Sequence, residues 1–185
     1  TKKDRVEFIH TLKDESGYSY IYKKTVRLVA GKAQLILEHS LKNTGQKAIS
    51  TSVFNHNFFV IDNQNTGPDF LVSMPFKINS EPAKKSLMSF ADNKMIYNRD
   101  LKKGESTMEY PKGFTGTSVE DYDFKIENQK TGAAVRITSN RPLSNFMYWS
   151  VPTTLSPEPF IKIDALPGNE FTWAITYNFY TIDKK

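Results

Sequence analysis

The side chains best suited to acid–base chemistry stand in two short stretches. Residues 50–62, STSVFNHNFFVID, set His56 between two asparagines in an otherwise apolar run. Residues 155–164, LSPEPFIKID, set Glu158 between Pro157 and Pro159. An imidazole exchanges a proton near neutral pH, and a carboxylate on a rigid backbone makes a well-placed general base. Read as a strand, the first stretch puts Phe54, His56, Phe58 and Val60 on one face, with Val53, Asn55, Asn57 and Phe59 on the other. Parity alone favours a core histidine hydrogen-bonded to a backbone group. For Glu158 two readings stay open. The flanking prolines hold it on a stiff, extended backbone, which suits a catalytic carboxylate and equally suits a solvated glutamate where the strand FIKID begins.

Other candidates are weaker. His10 and His39 sit in alternating strand patterns without polar company and read as structural or exposed. The three histidines have no H-x-H or H-x-x-x-H spacing, so no metal motif arises. Glu120, Asp121 and Asp123 cluster in VEDYDFKI, but acidic residues at a strand start are usually solvated, and no calcium-loop spacing is present. Tyr148 and Trp149, in NFMYWSVP, could stack on the apolar faces of sugar rings or belong to the core. The nucleophile-elbow and phosphate-loop signatures are both missing.

The elements that must position these residues are strands. RVEFIHTL, AQLILEHSL, AAVRITSN and FTWAITYNFYTI alternate with period two and are rich in Val, Ile, Thr, Tyr and Phe, the residues of a pleated, half-buried surface. VAGKA, KNTGQK and NQKTGAA place glycine in short polar breaks, as hairpins require. NQNTGPDF reads as a loop. EPAKKSLMSFADNK reads as a short helix or irregular loop. The expected fold is all-β, with ten to twelve strands, and the long aromatic C-terminal strand holds a central position.

Composition bounds the rest. The 185 residues suffice for one substantial core, expected to be one domain over 1–185. No apolar run approaches the roughly 20 residues of a membrane-spanning helix, so no membrane partner is expected. With no cysteine there are no disulfides and no thiolate chemistry. The net charge of +5 is spread over Lys-Lys pairs at strand ends and turns, the pattern of protected sheet edges and not of a nucleic-acid stripe. The chain opens at Thr1, so a processed or cut N-terminus is expected, with an extracytoplasmic setting.

Together the motifs resemble a family. LILEHSLKNTGQKAISTSVFNHNFFVID is similar to the aldose 1-epimerase (galactose mutarotase) pattern, in which an N-T strand end precedes a strand carrying T-N-H-x-Y-F-N-L. The counterparts are Asn43-Thr44 and then Asn55-His56-Asn57-Phe58-Phe59. Glu158, the run Leu166-Pro167-Gly168-Asn169-Glu170 and the final Tyr177-Asn178-Phe179 resemble the family's closing strands. The resemblance implies a β-supersandwich of large antiparallel sheets binding a small sugar or glycan, with neither metal nor cofactor. It implies His56 as general acid at the ring oxygen and Glu158 as general base at the anomeric hydroxyl, with Asn55, Phe58, Asp121 and Trp149 contacting substrate. DYDF matches the family's D-H-x-F-like stretch with Tyr122 in the histidine position. No L-H-G-G-like segment is present, so the chain is expected to be the C-terminal two-thirds of a longer family domain.

The expected function is therefore anomer interconversion by acid–base ring opening; alternatively, a non-catalytic carbohydrate-binding domain of the same fold. Glycoside hydrolysis by Glu158 with Asp121 or Asp123 is a third reading. It requires carboxylates about 5–9 Å apart across a cleft.

Overall fold

Alternating apolar residues form most of the strands here because one face can be buried against a second sheet. The structure, a computed structural model, describes residues 3–184. Its strands are β1 (Arg5–Lys13), β2 (Ser19–Leu28), β3 (Gln34–Asn43), β4 (Ile49–Val53), β5 (Phe70–Ser73), β6 (Met88–Ala91) and β7 (Lys94–Tyr97). They continue with β8 (Thr107–Glu109), β9 (Asp123–Asn128), β10 (Ala133–Ser139), β11 (Asn145–Val151), β12 (Thr154–Ala165) and β13 (Glu170–Thr181). One 3-10 turn, Val119–Asp121, precedes β9. All pairings between strands are antiparallel.

Nine strands form one sheet in the order β1-β2-β3-β13-β10-β9-β5-β7-β6, and four form another, β4-β12-β11-β8. Leu37, Val72, Phe124, Ile137 and Ile175 on the large sheet face Phe146, Tyr148, Leu155, Ile161 and Ile163 on the small one in a shared core. Enclosing a side chain such as Phe146 contributes roughly 2–3 kcal/mol. As expected, β13 lies inside the large sheet, between β3 and β10. The β9–β10 hairpin shows how NQKTG turns the chain: the Asn128 Oδ1 accepts from the Lys130 and Thr131 N–H groups. Gly132 completes the turn at φ +82°, which a side chain would disfavour.

Three expectations change. The chain has thirteen strands among the described residues, because EPAKKSLMSFADNK holds β6 and the turn that leads into β7. That turn is closed by Asp92 at φ +55°, a conformation that aspartate tolerates. Lys23 and Lys24 lie in the middle of β2, not at its end. Asp121 is buried and caps a local turn, accepting from the Thr115 N–H and hydroxyl at 2.7 and 2.6 Å.

His39 is structural. It is buried on β3, stacked at 4.6 Å on Trp173, with Tyr22 hydroxyl 2.7 Å from its Nδ1. Burial, with a smaller contribution from Lys24, lowers its pKa from 6.5 to about 4. The unfolded chain takes up this proton near pH 6.5 and the folded chain only near pH 4. Stability is therefore unaffected above 6.5 and falls as the pH drops towards 4, by up to about 3 kcal/mol. Urea midpoints at pH 7 and pH 4.5 check this: His39→Phe should lower the midpoint at pH 7, where Tyr22 loses its partner, yet lose less than the parent between the two pH values.

Candidate functional site

The site begins with two missing N–H groups. In β12, Leu155 exchanges hydrogen bonds of 2.9 and 3.1 Å with Phe59, and Ile161 pairs with Val53 of β4. Residues 155, 157, 159 and 161 therefore turn their backbone polar groups to the same edge. At that edge Pro157 and Pro159 have nothing to donate, so β4 cannot continue its ladder past Val53. The chain lifts away as residues 54–58 and touches down again at Phe59. Asn57 bridges the gap. Its side-chain amide donates to the Pro157 carbonyl at 2.7 Å, and its Oδ1 accepts from the Tyr177 hydroxyl at 2.6 Å.

The raised segment carries His56 over Glu158. His56 Nδ1 lies 2.6 Å from Glu158 Oε1, and the Ser156 hydroxyl donates to the same oxygen at 2.9 Å. The Glu158 side chain is 1% exposed and that of His56 is 58% exposed, so the imidazole is the lid of a buried carboxylate. The core reading of His56 is thus corrected: parity holds, but its face looks outward, because the other face is turned to the large sheet, where Asn57 and Phe59 meet Tyr177. Glu158 is likewise within β12 and not at its start, paired with Met147 across β11.

Aromatic rings hold the lid. His56 stacks on Phe58 at 5.1 Å, meets Phe54 edge-on at 4.9 Å, and Phe58 touches Trp149 at 5.7 Å. His56, Phe58, Met108, Met147, Trp149 and Glu158 line a hollow of about 190 Å³. That is below the roughly 300–1,000 Å³ usual for drug-sized ligands, and it favours a small one. The walls are apolar, and the only carboxylate is Glu158, whose Oε2 is buried without a hydrogen-bond partner.

Of the residues singled out from the sequence, His56, Glu158, Phe58 and Trp149 meet here. Asn55 turns the other way, 3.5 Å from the Tyr177 hydroxyl, and Asp121 is held by Thr115; neither lines the hollow. Asp123 pairs with Arg136 on the large sheet, and among the described residues Glu158 is the one carboxylate lining the hollow. Tyr148 and Trp149 part company: Tyr148 is core, bonded to the Tyr97 hydroxyl at 2.7 Å, and Trp149 faces the hollow. Ser156, Met147 and Met108 were missed. S-x-E at period two could have signalled Ser156, but only tertiary pairing places β8 and β11 beside Glu158. Among the described residues no group of three His, Cys, Asp or Glu side chains could hold a metal ion, and no helix is long and apolar enough to cross a membrane.

No family model matches the chain, and no curated protein matches it in sequence. Solved structures do resemble it. A GalM/aldose epimerase homologue from C. elegans superposes with TM-score 0.73 at 14% identity, over 99% of this chain and 67% of that one. A galactose mutarotase related enzyme from Lactobacillus acidophilus gives 0.69 at 16% identity, over 100% and 71%. A galactose mutarotase-like protein from Lactobacillus casei gives 0.65 at 12% identity, over 97% and 71%. The chain thus spans about two-thirds of the length of each, and the likeness establishes a galactose mutarotase-like fold.

The lifted segment depends on Asn57. Asn57→Ala removes two buried hydrogen bonds, leaving the Pro157 carbonyl without its donor and the Tyr177 hydroxyl without its acceptor, so it should cost about 2–4 kcal/mol of stability by urea denaturation. A cost below about 0.5 kcal/mol would mean that the segment is held by its aromatic contacts alone.

Proposed function

We propose that this chain, with its galactose mutarotase-like fold, is a divergent aldose 1-epimerase-like protein whose hollow takes the anomeric end of a sugar. The observation that carries the reading is the pairing of an exposed imidazole with a buried, partly unpartnered carboxylate between aromatic walls. Rings such as Phe58 and Trp149 suit the apolar faces of a pyranose, and a hemiacetal needs one proton donor and one acceptor.

The chemistry then balances within the pair. Glu158 takes the proton of the anomeric hydroxyl while protonated His56 gives one to the ring oxygen. The C1–O5 bond breaks as the C1 carbonyl forms. Rotation about C1–C2 presents the other carbonyl face, and the same two groups run the transfers in reverse to close the ring. The two side chains touch at 2.6 Å, so the sugar must displace His56 from Glu158 to stand between them. His56 is the mobile partner by its exposure, and Glu158 is fixed by Ser156 and its burial.

The same closed contact favours a second reading: a sugar-binding domain in which His56 and Glu158 hold each other and catalyse nothing. Polarimetry separates the two. With freshly dissolved α-glucose and α-galactose, the parent should accelerate mutarotation, and His56→Ala and Glu158→Gln should each reduce the acceleration about 10²–10⁴-fold. Equal rates for all three proteins, with sugar binding retained by the parent, would favour the binding domain. Equal rates without any binding would remove both readings.

A further inference from the structure

The hollow is one end of a longer surface. Register places Ser156, Glu158, Phe160, Lys162 and Asp164 on the outward face of β12. Trp149, Met147 and Asn145 lie opposite Ser156, Glu158 and Phe160 on β11, and Ser52 and Ser50 lie opposite Lys162 and Asp164 on β4. At the far end Ser50, Thr51, Ser52, Ser144, Asn145 and Lys162 line a shallow groove of about 460 Å³. Between hollow and groove, Phe54 packs on Phe160 at 4.3 Å while also touching His56. This aromatic pair is thus a floor common to both.

The groove has the chemistry of a neutral polyol site. Its lining offers hydroxyls and an amide, and the charge of its one lysine, Lys162, is compensated locally. Lys162 lies 3.0 Å from Asp164, which also accepts from the Ser50 hydroxyl at 2.6 Å, and the Lys112 ammonium donates to Asn145 Oδ1 at 2.9 Å. The one cation in the lining, Lys162, is already paired, while Lys112 at the rim is engaged by a neutral amide, and an apolar ligand would bury hydroxyls without partners.

A second observation points to a ligand. Ser144 Oγ, in the groove, is buried and has no hydrogen-bond partner, like Glu158 Oε2 in the hollow. Buried polar atoms in folded proteins are almost always paired. The Ser144 N–H donates to the Phe160 carbonyl at 2.9 Å, so Ser144 sits about two residues along β12 from Glu158, roughly 7 Å. Lys162 is four residues along, roughly 13 Å. An unpaired hydroxyl beneath the groove and an unpaired carboxylate oxygen beneath the hollow, with an aromatic floor between them, mark two ends of one continuous surface.

We infer that the outward face of the four-stranded sheet binds a neutral saccharide of at least two units. The reducing ring enters the hollow at His56 and Glu158. The next ring lies over Phe54 and Phe160, with its hydroxyls on Ser144, Asn145, Ser52 and Lys162. The inference rests on the sugar reading of the hollow and adds to it the substrate class: an oligosaccharide in preference to a free hexose.

Calorimetric titration with glucose, galactose, lactose, and the two- and three-unit β-1,4 and α-1,4 glucose oligomers tests it. At least one oligomer should bind the parent about tenfold or more tightly than glucose. In the double variant Asn145→Ala, Lys162→Ala that ratio should fall to about twofold or less. Both side chains are outward, so an unchanged circular-dichroism melt confirms that the variant is folded. Serine substitution at Ser144, Ser144→Val, gives an independent arm and should lower the ratio likewise. Oligomers that bind no better than glucose, or a ratio that the variants leave unchanged, would overturn the extended surface and leave the sugar reading of the hollow standing. Failure of every sugar, single or linked, to bind the parent would overturn both.

Discussion

The site depends on the edge of β12 that has no hydrogen bonds to give. Two prolines, placed at the positions whose N–H groups should meet β4, make further pairing impossible at that edge. The chain after Val53 must leave the sheet, and the length of the bow is set by where pairing resumes, at Phe59. Because strand parity survives the bow, residues 54, 56 and 58 still look outward and 55, 57 and 59 inward. A backbone constraint thereby becomes a side-chain arrangement: an imidazole and two phenylalanines poised over Glu158.

Two glutamates are buried to the same degree, and their surroundings differ. Glu109 and Glu158 are each 1% exposed. Glu109 accepts from the Ala83 N–H at 2.9 Å, from Thr107 at 2.8 Å and from Ser86, so both of its oxygens are occupied and it fastens the loop before β6. Glu158 has both hydrogen bonds on one oxygen and none on the other. Desolvating a carboxylate costs several kcal/mol unless its oxygens find partners. Glu109 repays that cost within the fold, whereas Glu158 retains an acceptor that a ligand hydroxyl could use.

Much of the strand architecture can be read from alternation and from glycine-bearing turns, because both are local consequences of the backbone. The central place of β13 follows from its length and its aromatics. The β6–β7 hairpin does not, since its turn rests on an aspartate at positive φ and its apolar residues mimic a short helix. For the site, Glu158 stands out by its prolines and His56 by its asparagines. Which way His56 looks was not readable from parity, because two faces rich in phenylalanine cannot be told apart until a second sheet covers one of them. Asp121 misled for a related reason: an acidic residue that caps a turn through Thr115 has the same local sequence as one that binds a ligand.

Opening the hollow is within reach of ordinary binding energies. His56 would give up a hydrogen bond to a carboxylate, worth about 1.5–3 kcal/mol, and a stack on Phe58 worth about 0.5–1.5 kcal/mol. Exposure of the imidazole places both towards the lower end, since water replaces part of what is lost. A closed form favoured by about 2–3 kcal/mol weakens apparent affinity by that amount. A single hexose has few contacts with which to offset it. A longer saccharide that also engages Phe160, Ser144 and Asn145 gains contacts outside the reacting ring. In the proposed epimerase reading, binding energy from such remote units holds His56 away from Glu158 at the moment when the two act on opposite sides of the anomeric centre.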